Sequence, residues 1–212
     1  MLKQKYFLTD FFILSAEKQP IKSSWRKIEW LHKKLFSVNY KDTTMKIRIR
    51  LATLSDLNKL MGIFDTARRF MQSTGNANQW INGYPQRELI MHEINSGHCY
   101  VCINEQESVA GTFCFIQGPD PTYSRIDEGN WLDNDPYWVI HRIASDGSCR
   151  GIFEACINWC EKQTPNLRVD THADNKIMQN LLEKHGFIRC GIIYVANGTP
   201  RIAYQRHNTS HS

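Results

Sequence analysis

From Met45 onward, segments whose apolar residues alternate give way repeatedly to segments whose apolar residues recur every three or four positions, and Gly, Pro or Asn marks most junctions. That succession constrains the fold more than any other feature. Ile47, Ile49 and Leu51 share one face of a first strand. Ser55 is expected to cap a helix carrying Leu57, Leu60, Met61, Phe64, Ala67 and Met71, which Gly75-Asn-Ala-Asn78 ends. Pro85 opens a second helix with Leu89, Ile90, Glu93 and Ile94, and Gly97 closes it. Strands over 98–104 and 108–117 flank the polar turn Asn104-Glu-Gln-Glu107. A long loop, 118–136, precedes a fourth strand over 137–144. A turn over 145–149 leads to a helix over 150–163 and a fifth strand over 167–172. Asp174 begins a helix with Ile177, Leu181 and Leu182 inward, ended by Gly186. Strands over 187–195 and 201–206 are joined by Ala196-Asn-Gly-Thr-Pro200. The order βααβββαβαββ predicts an α/β fold, a mixed sheet with helices on both faces.

Charge is distributed unevenly. The chain has 212 residues and a net charge of +5, and residues 1–44 hold nine Lys/Arg against four Asp/Glu. The remainder balances at 17 of each. A neutral body lacks the basic face that displaces phosphate counterions, so no nucleic-acid partner is expected. No apolar run approaches the roughly 20 residues of a membrane-spanning helix, so no membrane partner is expected either. Asp10 and the Glu17-Lys18 pair interrupt the apolar core that a signal peptide needs. Two readings of 1–44 stay open: an upstream extension before a natural start at Met45, or a basic arm that docks on a partner. The domain is expected over 45–207, with a tail at 208–212.

The seven cysteines are scattered. Alternation along a strand sends Cys99 and Cys102 to opposite faces, where one ion does not reach both, and no second pair stands at zinc spacing. No metal is therefore expected. Cys156 and Cys160 read as small buried residues of a helix. Reduced, structural cysteines imply a cytoplasmic setting.

The most informative stretch is the fourth strand, its turn and the helix beginning at Arg150. First-turn N–H groups lack intrahelical partners and the helix dipole adds positive charge, so such a junction suits a diphosphate. An ordinary strand-to-helix connection has the same outline. No Gly-Lys-Ser/Thr follows, as a P-loop requires, and GxGxxG is missing.

Over about residues 46–206, element order and motifs together resemble the GNAT superfamily of acetyl-CoA-dependent N-acetyltransferases. Arg150-Gly-Ile-Phe-Glu-Ala155 is similar to the family's Arg-Gly-x-Gly-x-Gly/Ala diphosphate loop. Arg150, Gly151 and Ala155 match, whereas Phe153 stands where the family has its second Gly. The resemblance implies that Arg150, Gly151, Ile152, Phe153 and Ala155 hold the diphosphate of acetyl-CoA, with the Phe153 ring turned away. Asp174-Asn-Lys-Ile-Met178 and Lys184-His-Gly-Phe187 also look like the family's, and make Asn175 a pantetheine contact. The implied sheet is mixed and mostly antiparallel, with its fourth and fifth strands splayed. Ile143, Ala144 and Ser145 then offer their backbone to pantetheine, and the Ile143 amide polarises the acetyl carbonyl.

The implied reaction is direct transfer of acetyl to a primary amine of a small molecule or peptide, in a ternary complex, by a monomer or homodimer. The Tyr that many members use as general acid corresponds here to Leu182, and Tyr194 is the alternative acid. His141, two residues before Ile143 and expected on its face, is the first candidate base; a strand histidine is also a common packing residue. His172 and Glu128 are the other candidates. The acceptor is expected between the 73–86 and 118–136 loops, walled by Gln79, Trp80 and Tyr84. Asp127, Glu128, Asp133 and Asp135 would attract its charge. Leu182 and Phe153 keep a second class open, an acyl-CoA-binding module without turnover.

Overall fold

A computed structural model of the chain describes residues 46–208. The expected extension over 1–44 and the tail beyond Asn208 lie outside the described residues. The elements are β1 (Arg48–Leu51), α1 (Leu57–Ser73), α2 (Arg87–Asn95), β2 (Cys99–Ile103), β3 (Val109–Gln117), β4 (Trp138–Ser145), α3 (Ile152–Cys160), β5 (Asn166–Thr171), α4 (Lys176–Lys184), β6 (Ile188–Tyr194) and β7 (Pro200–His207). Short 3-10 turns at Leu54–Asp56 and Pro121–Tyr123 complete them. The strands form one sheet in the order β1-β2-β3-β4-β5-β7-β6. Only β4 and β5 run parallel; every other pair is antiparallel.

Alternation along the strands divides the core. Cys99, Val101, Ile103 and Cys114 pack with Leu60, Phe64 and Ile90 of α1 and α2. Cys102, Phe113, Phe115 and Ile140 pack with Cys156 and Ile157 of α3 and Leu182 of α4. Cys99 and Cys102 do lie in different layers, and all seven cysteines are unpaired. Burying each large side chain stabilises the fold by about 1.5–3 kcal/mol. Among the described residues no helix is long and apolar enough to cross a membrane.

Two local expectations differ. Thr53, rather than Ser55, begins the first helical turn: Asp56 reaches back to accept from the Thr53 amide at 2.8 Å and also pairs with Arg50. In α4, Ile177 is 45% exposed. Asn175 caps this helix, and Met178 packs inward in its place, one turn before Leu182, which is buried as expected.

The decisive irregularity is in β4. It pairs with β5 only at Trp138–Leu167 and Val139–Arg168. Against β3, Thr112 faces Ala144 and Cys114 faces His141, so Phe113 alone stands opposite Arg142 and Ile143. This is a β-bulge, and Arg142 takes a left-handed φ of 55° within it. That conformation costs a non-glycine residue about 1 kcal/mol. The bulge also inverts the phase of the strand. Ile140 and Ile143, three apart, both pack on the α3 and α4 side, whereas His141 and Arg142 both turn to the other. His141 therefore does not share the face of Ile143; the extra residue between them breaks the alternation. Gly111 lets the layers close here, because a Cβ on it would lie 2.6 Å from Ile152 Cγ2 and 3.0 Å from the Ala144 carbonyl.

Candidate active site

Beyond Val139 no strand lies between β4 and β5, and the gap opens on a cavity of about 600 Å³. Gln79, Trp80 and Tyr84 form one wall. Trp80 is buried edge-on between Phe64 and Tyr84, with ring centroids 5.7 and 6.2 Å away. Gln79 acts as a joint: its Oε1 accepts from Asn175 and Asn76 at 2.9 Å each and from Thr171 at 3.3 Å. Asn175 Oδ1 in turn accepts from the Met178 amide at 3.0 Å, so this one side chain caps α4 and ties it to the loop.

The opposite wall carries the titratable groups. His141 Nε2 lies 2.9 Å from Asp120 Oδ2, and its Nδ1 lies 4.0 Å from Asp170 Oδ1. The Tyr123 hydroxyl donates to that same Asp170 oxygen at 2.8 Å. Burial works to raise the Asp120 carboxyl, but His141 and the hydroxyl and amide of Thr122 outweigh it and hold it at about 2. Burial, and then Asp170, pushes the Tyr123 phenol well above its usual value. Arg142 pairs with buried Glu93, which His98 bonds from its other side. Burial favours the neutral Glu93 acid, yet Arg142 and His98 lower its pKa. Arg201 also lines the cavity, and burial lowers its pKa.

The loop between β4 and α3 lies on the same side of the gap. Gly147 and Gly151 take left-handed φ values of 78° and 82°. Asp146 anchors the loop, accepting from the Ser148 amide at 3.0 Å and from Lys59 at 2.9 Å. No side chain caps α3. A Cβ on Gly151 would meet only Ile47 Cδ1, at 3.7 Å. Arg150 is exposed and Ile152 buried. The Phe153 ring stacks edge-on with His185 at 5.1 Å, turned toward α4. The Ala155 amide already donates to the Gly151 carbonyl, which leaves the amides before it for an anion. An uncapped helix start beside an open strand edge suits a diphosphate with an extended arm. On β4, Ala144 and Ser145 pair with Thr112 and Gly111, leaving the β5 side of the strand without a partner.

The structure thus brings Gln79, Trp80, Tyr84, His141, Ile143 and Asn175 to one cavity. It does not bring Tyr194 or Glu128 there. On β6 the alternation buries Ile193 and turns Tyr194 outward, 38% exposed, with Arg125 over its ring. Glu128 is exposed in a left-handed turn. His172 Nδ1 accepts from the Asp174 amide at 3.2 Å, outside the cavity. The expected loop acids are also occupied elsewhere: Asp127 pairs with Arg125, and Asp133 with His207. Asp133, Asp135 and His207 bring ligand atoms within 4.8 Å of one another, but Asn166 and Gln205 also hold Asp133. The acids that line the cavity are Glu93, already paired with Arg142, and Asp120 and Asp170, which the sequence reading missed. One signal was present: Asp120 stands two residues before Thr122, as in an Asx turn.

No protein-family model and no curated protein matches the chain. Solved structures do. A GNAT-family acetyltransferase from Streptococcus agalactiae 2603 is 33% identical with a TM-score of 0.70, covering 77% of this chain and 96% of that one. One from Listeria monocytogenes 4b F2365 is 21% identical with a TM-score of 0.60, covering 78% and 96%. A structure from Corynebacterium glutamicum ATCC 13032, described as histone acetyltransferase HPA2 and related acetyltransferase, is 18% identical with a TM-score of 0.53, covering 79% and 100%. The last two share the fold. The first, at its identity and span, joins with the parted strands and the uncapped helix to show that the chain belongs to the GNAT family of acetyltransferases.

Proposed function

We propose that the chain is an N-acetyltransferase that moves acetyl from acetyl-CoA to a primary amine of a small molecule or peptide, by direct attack in a ternary complex. The observation that carries this reading is the histidine held by a carboxylate on the wall of a cavity that opens where β4 and β5 part. Acetyl-CoA supplies the acetyl group as a thioester. Arg150, Gly151 and the first amides of α3, those of Ile152 and Phe153, hold its diphosphate. Ala155 contributes a small side chain that leaves the loop clear. Ile143, Ala144 and Ser145 line its arm, and Asn175 fixes the far side. The Ile143 amide polarises the acetyl carbonyl, a contribution of about 3 kcal/mol when the donor is preorganised.

Asp120 selects the tautomer of His141. An Nε2–H donated to Asp120 leaves the lone pair on Nδ1. His141 takes a proton from the acceptor ammonium there, and the imidazolium that forms faces Asp170. A C–N bond forms as the C–S bond breaks, and the leaving thiolate takes a proton from the amine that attacked. A reducing cytoplasmic setting, in a monomer or homodimer, belongs to the same proposal.

The test is incubation of the full chain with acetyl-CoA and a panel of amines, following free thiol and acetylated product. Thiol release with at least one amine is expected. Tight coenzyme A binding without release on any amine would make the chain a binding module. Gly151→Trp fills the loop with a side chain and should weaken coenzyme A at least about tenfold, because the helix amides no longer reach the anion. Unchanged affinity removes the diphosphate assignment.

A further inference from the structure

Three arginines bury their guanidinium groups in the domain, and two are compensated. Arg142 pairs with Glu93. Arg168 lies 4.0 Å from the Trp131 ring centroid and 3.8 Å from that of Tyr137, and donates to the Asp133 carbonyl at 2.9 Å. Arg201 has neither a carboxylate nor an aromatic face, although it is only 7% exposed. It donates to the backbone carbonyls of Pro200 at 3.0 Å and Gln79 at 3.1 Å. Among the described residues no carboxylate lies within 4.0 Å of it. The Nε atoms of Arg142 and Arg168 are sealed from solvent without an acceptor, whereas that of Arg201 is not. The cavity thus contains a cation whose fork retains unused donors. A buried charge without its counter-charge is costly, and an anion brought by a ligand removes that cost.

Asp170 lies in the same cavity. Its Oδ1 accepts from Tyr123, and its Oδ2 has no donor among the described residues. Asp170 and Arg201 feel each other's charge but stand too far apart to close an ion pair. A small molecule that carries both signs of charge would supply a partner for each. We infer that the acceptor is a free α-amino acid or a close analogue, its carboxylate on Arg201 and its ammonium between Asp170 and His141. Polyamines have no group for Arg201. The inference rests on the proposed acetyl transfer and names the substrate class of that site.

The experiment gives the full chain acetyl-CoA and several amino acids, each beside its amide and its decarboxylated amine. Arg201→Gln and Arg201→Lys are run in parallel, with melting temperatures as a folding control. The free acid should be preferred in kcat/KM by roughly 10- to 100-fold, the scale of a charge-assisted hydrogen-bonded pair. Arg201→Gln should bring that ratio close to one, through KM rather than kcat, and Arg201→Lys should restore part of it. Equal use of acid, amide and amine would overturn the inference. So would an acid preference that survives Arg201→Gln, or a preference for succinyl-CoA over acetyl-CoA that disappears with it, since Arg201 would then serve the acyl donor. If Arg201→Gln does not fold, the parent series and Arg201→Lys decide. If no amine releases thiol, the transfer reading fails. Titration of the coenzyme-bound chain with acid and amide then tests Arg201 separately: tighter binding of the acid supports the subsite, and equal binding removes it.

Discussion

His141 and His207 each have two aspartates beside them at opposite ends of β5, but His141 faces its pair through Nε2 and Nδ1 whereas His207 faces both through Nδ1. His141 has Asp120 at 2.9 Å and Asp170 at 4.0 Å; His207 has Asp133 at 2.7 Å and Asp135 at 4.0 Å. Their surroundings differ. Around His207 the strands are paired, Asn166 against His207 itself. Asp133 Oδ1 also accepts from Asn166 at 3.0 Å, from Gln205 at 3.2 Å and from the Asp135 amide at 3.1 Å. Both carboxylate oxygens of Asp133 have internal partners there. Around His141 the strands have parted, one wall is a cavity, and a carboxylate oxygen and a guanidinium are left unpaired. The same residue types at similar distances form a joint where the sheet closes and line a cavity where it opens.

Paired substitutions give the sharpest test of that contrast. His141→Gln should lower kcat by about 10²- to 10⁴-fold, the usual worth of a positioned base. His207→Gln should leave kcat within about twofold and lower the melting temperature instead. Equal turnover losses in the two variants would break the comparison, because His141 would then be a joint as well.

A smaller effect separates the two carboxylates. Asp133→Ala leaves the buried Asn166 amide without an acceptor and Gln205 with Asn166 Oδ1 alone, and should cost about 1–3 kcal/mol of stability with turnover retained. Asp120 acts on the acid limb of stability. Its carboxyl is held at about 2 in the fold against an ordinary value of 3.8. The group therefore contributes fully above pH 3.8, and the contribution is lost as pH falls through 2. The carboxyl is only half-buried and solvent screens it, so the shift is worth at most about 2 kcal/mol. Urea unfolding of Asp120→Asn at pH 4 and pH 2 should show a correspondingly shallower loss than the parent. An equally steep loss would mean that His141 and Thr122 do not stabilise the carboxylate.

The element order, the strand and helix types and the turn from β4 into α3 were all legible in the sequence, because apolar period and Gly or Pro punctuation are local. The site was legible only where it follows that local pattern: Gln79, Trp80, Tyr84, Ile143 and Asn175 stand where loop position and motif put them. The bulge at Arg142 escaped. One extra residue reverses the sheet face that the following side chains take, and no period in the sequence marks where a strand will bulge. Arg142 and Arg201 were invisible for a related reason. A basic residue on a strand reads as an outward face until its burial and its partners are known.

Tyr194 carries the smallest expected effect. As the residue nearest in sequence to a replacement for the acid missing at Leu182, it would have to donate a proton to the leaving thiolate. Leu182 is fully buried among apolar neighbours, so no hydroxyl enters from that position. Tyr194 faces solvent, and Asp127 raises the pKa of its phenol through a side-chain hydrogen bond. A phenol made less acidic and pointed away from the cavity is a poor donor to a thiolate inside it. Tyr194→Phe should therefore change kcat by no more than about twofold, as for an ordinary surface position. A drop of about 10²-fold or more in steady-state turnover would bring this tyrosine back as the acid, and would require the β6–β7 hairpin to turn inward when both substrates are bound.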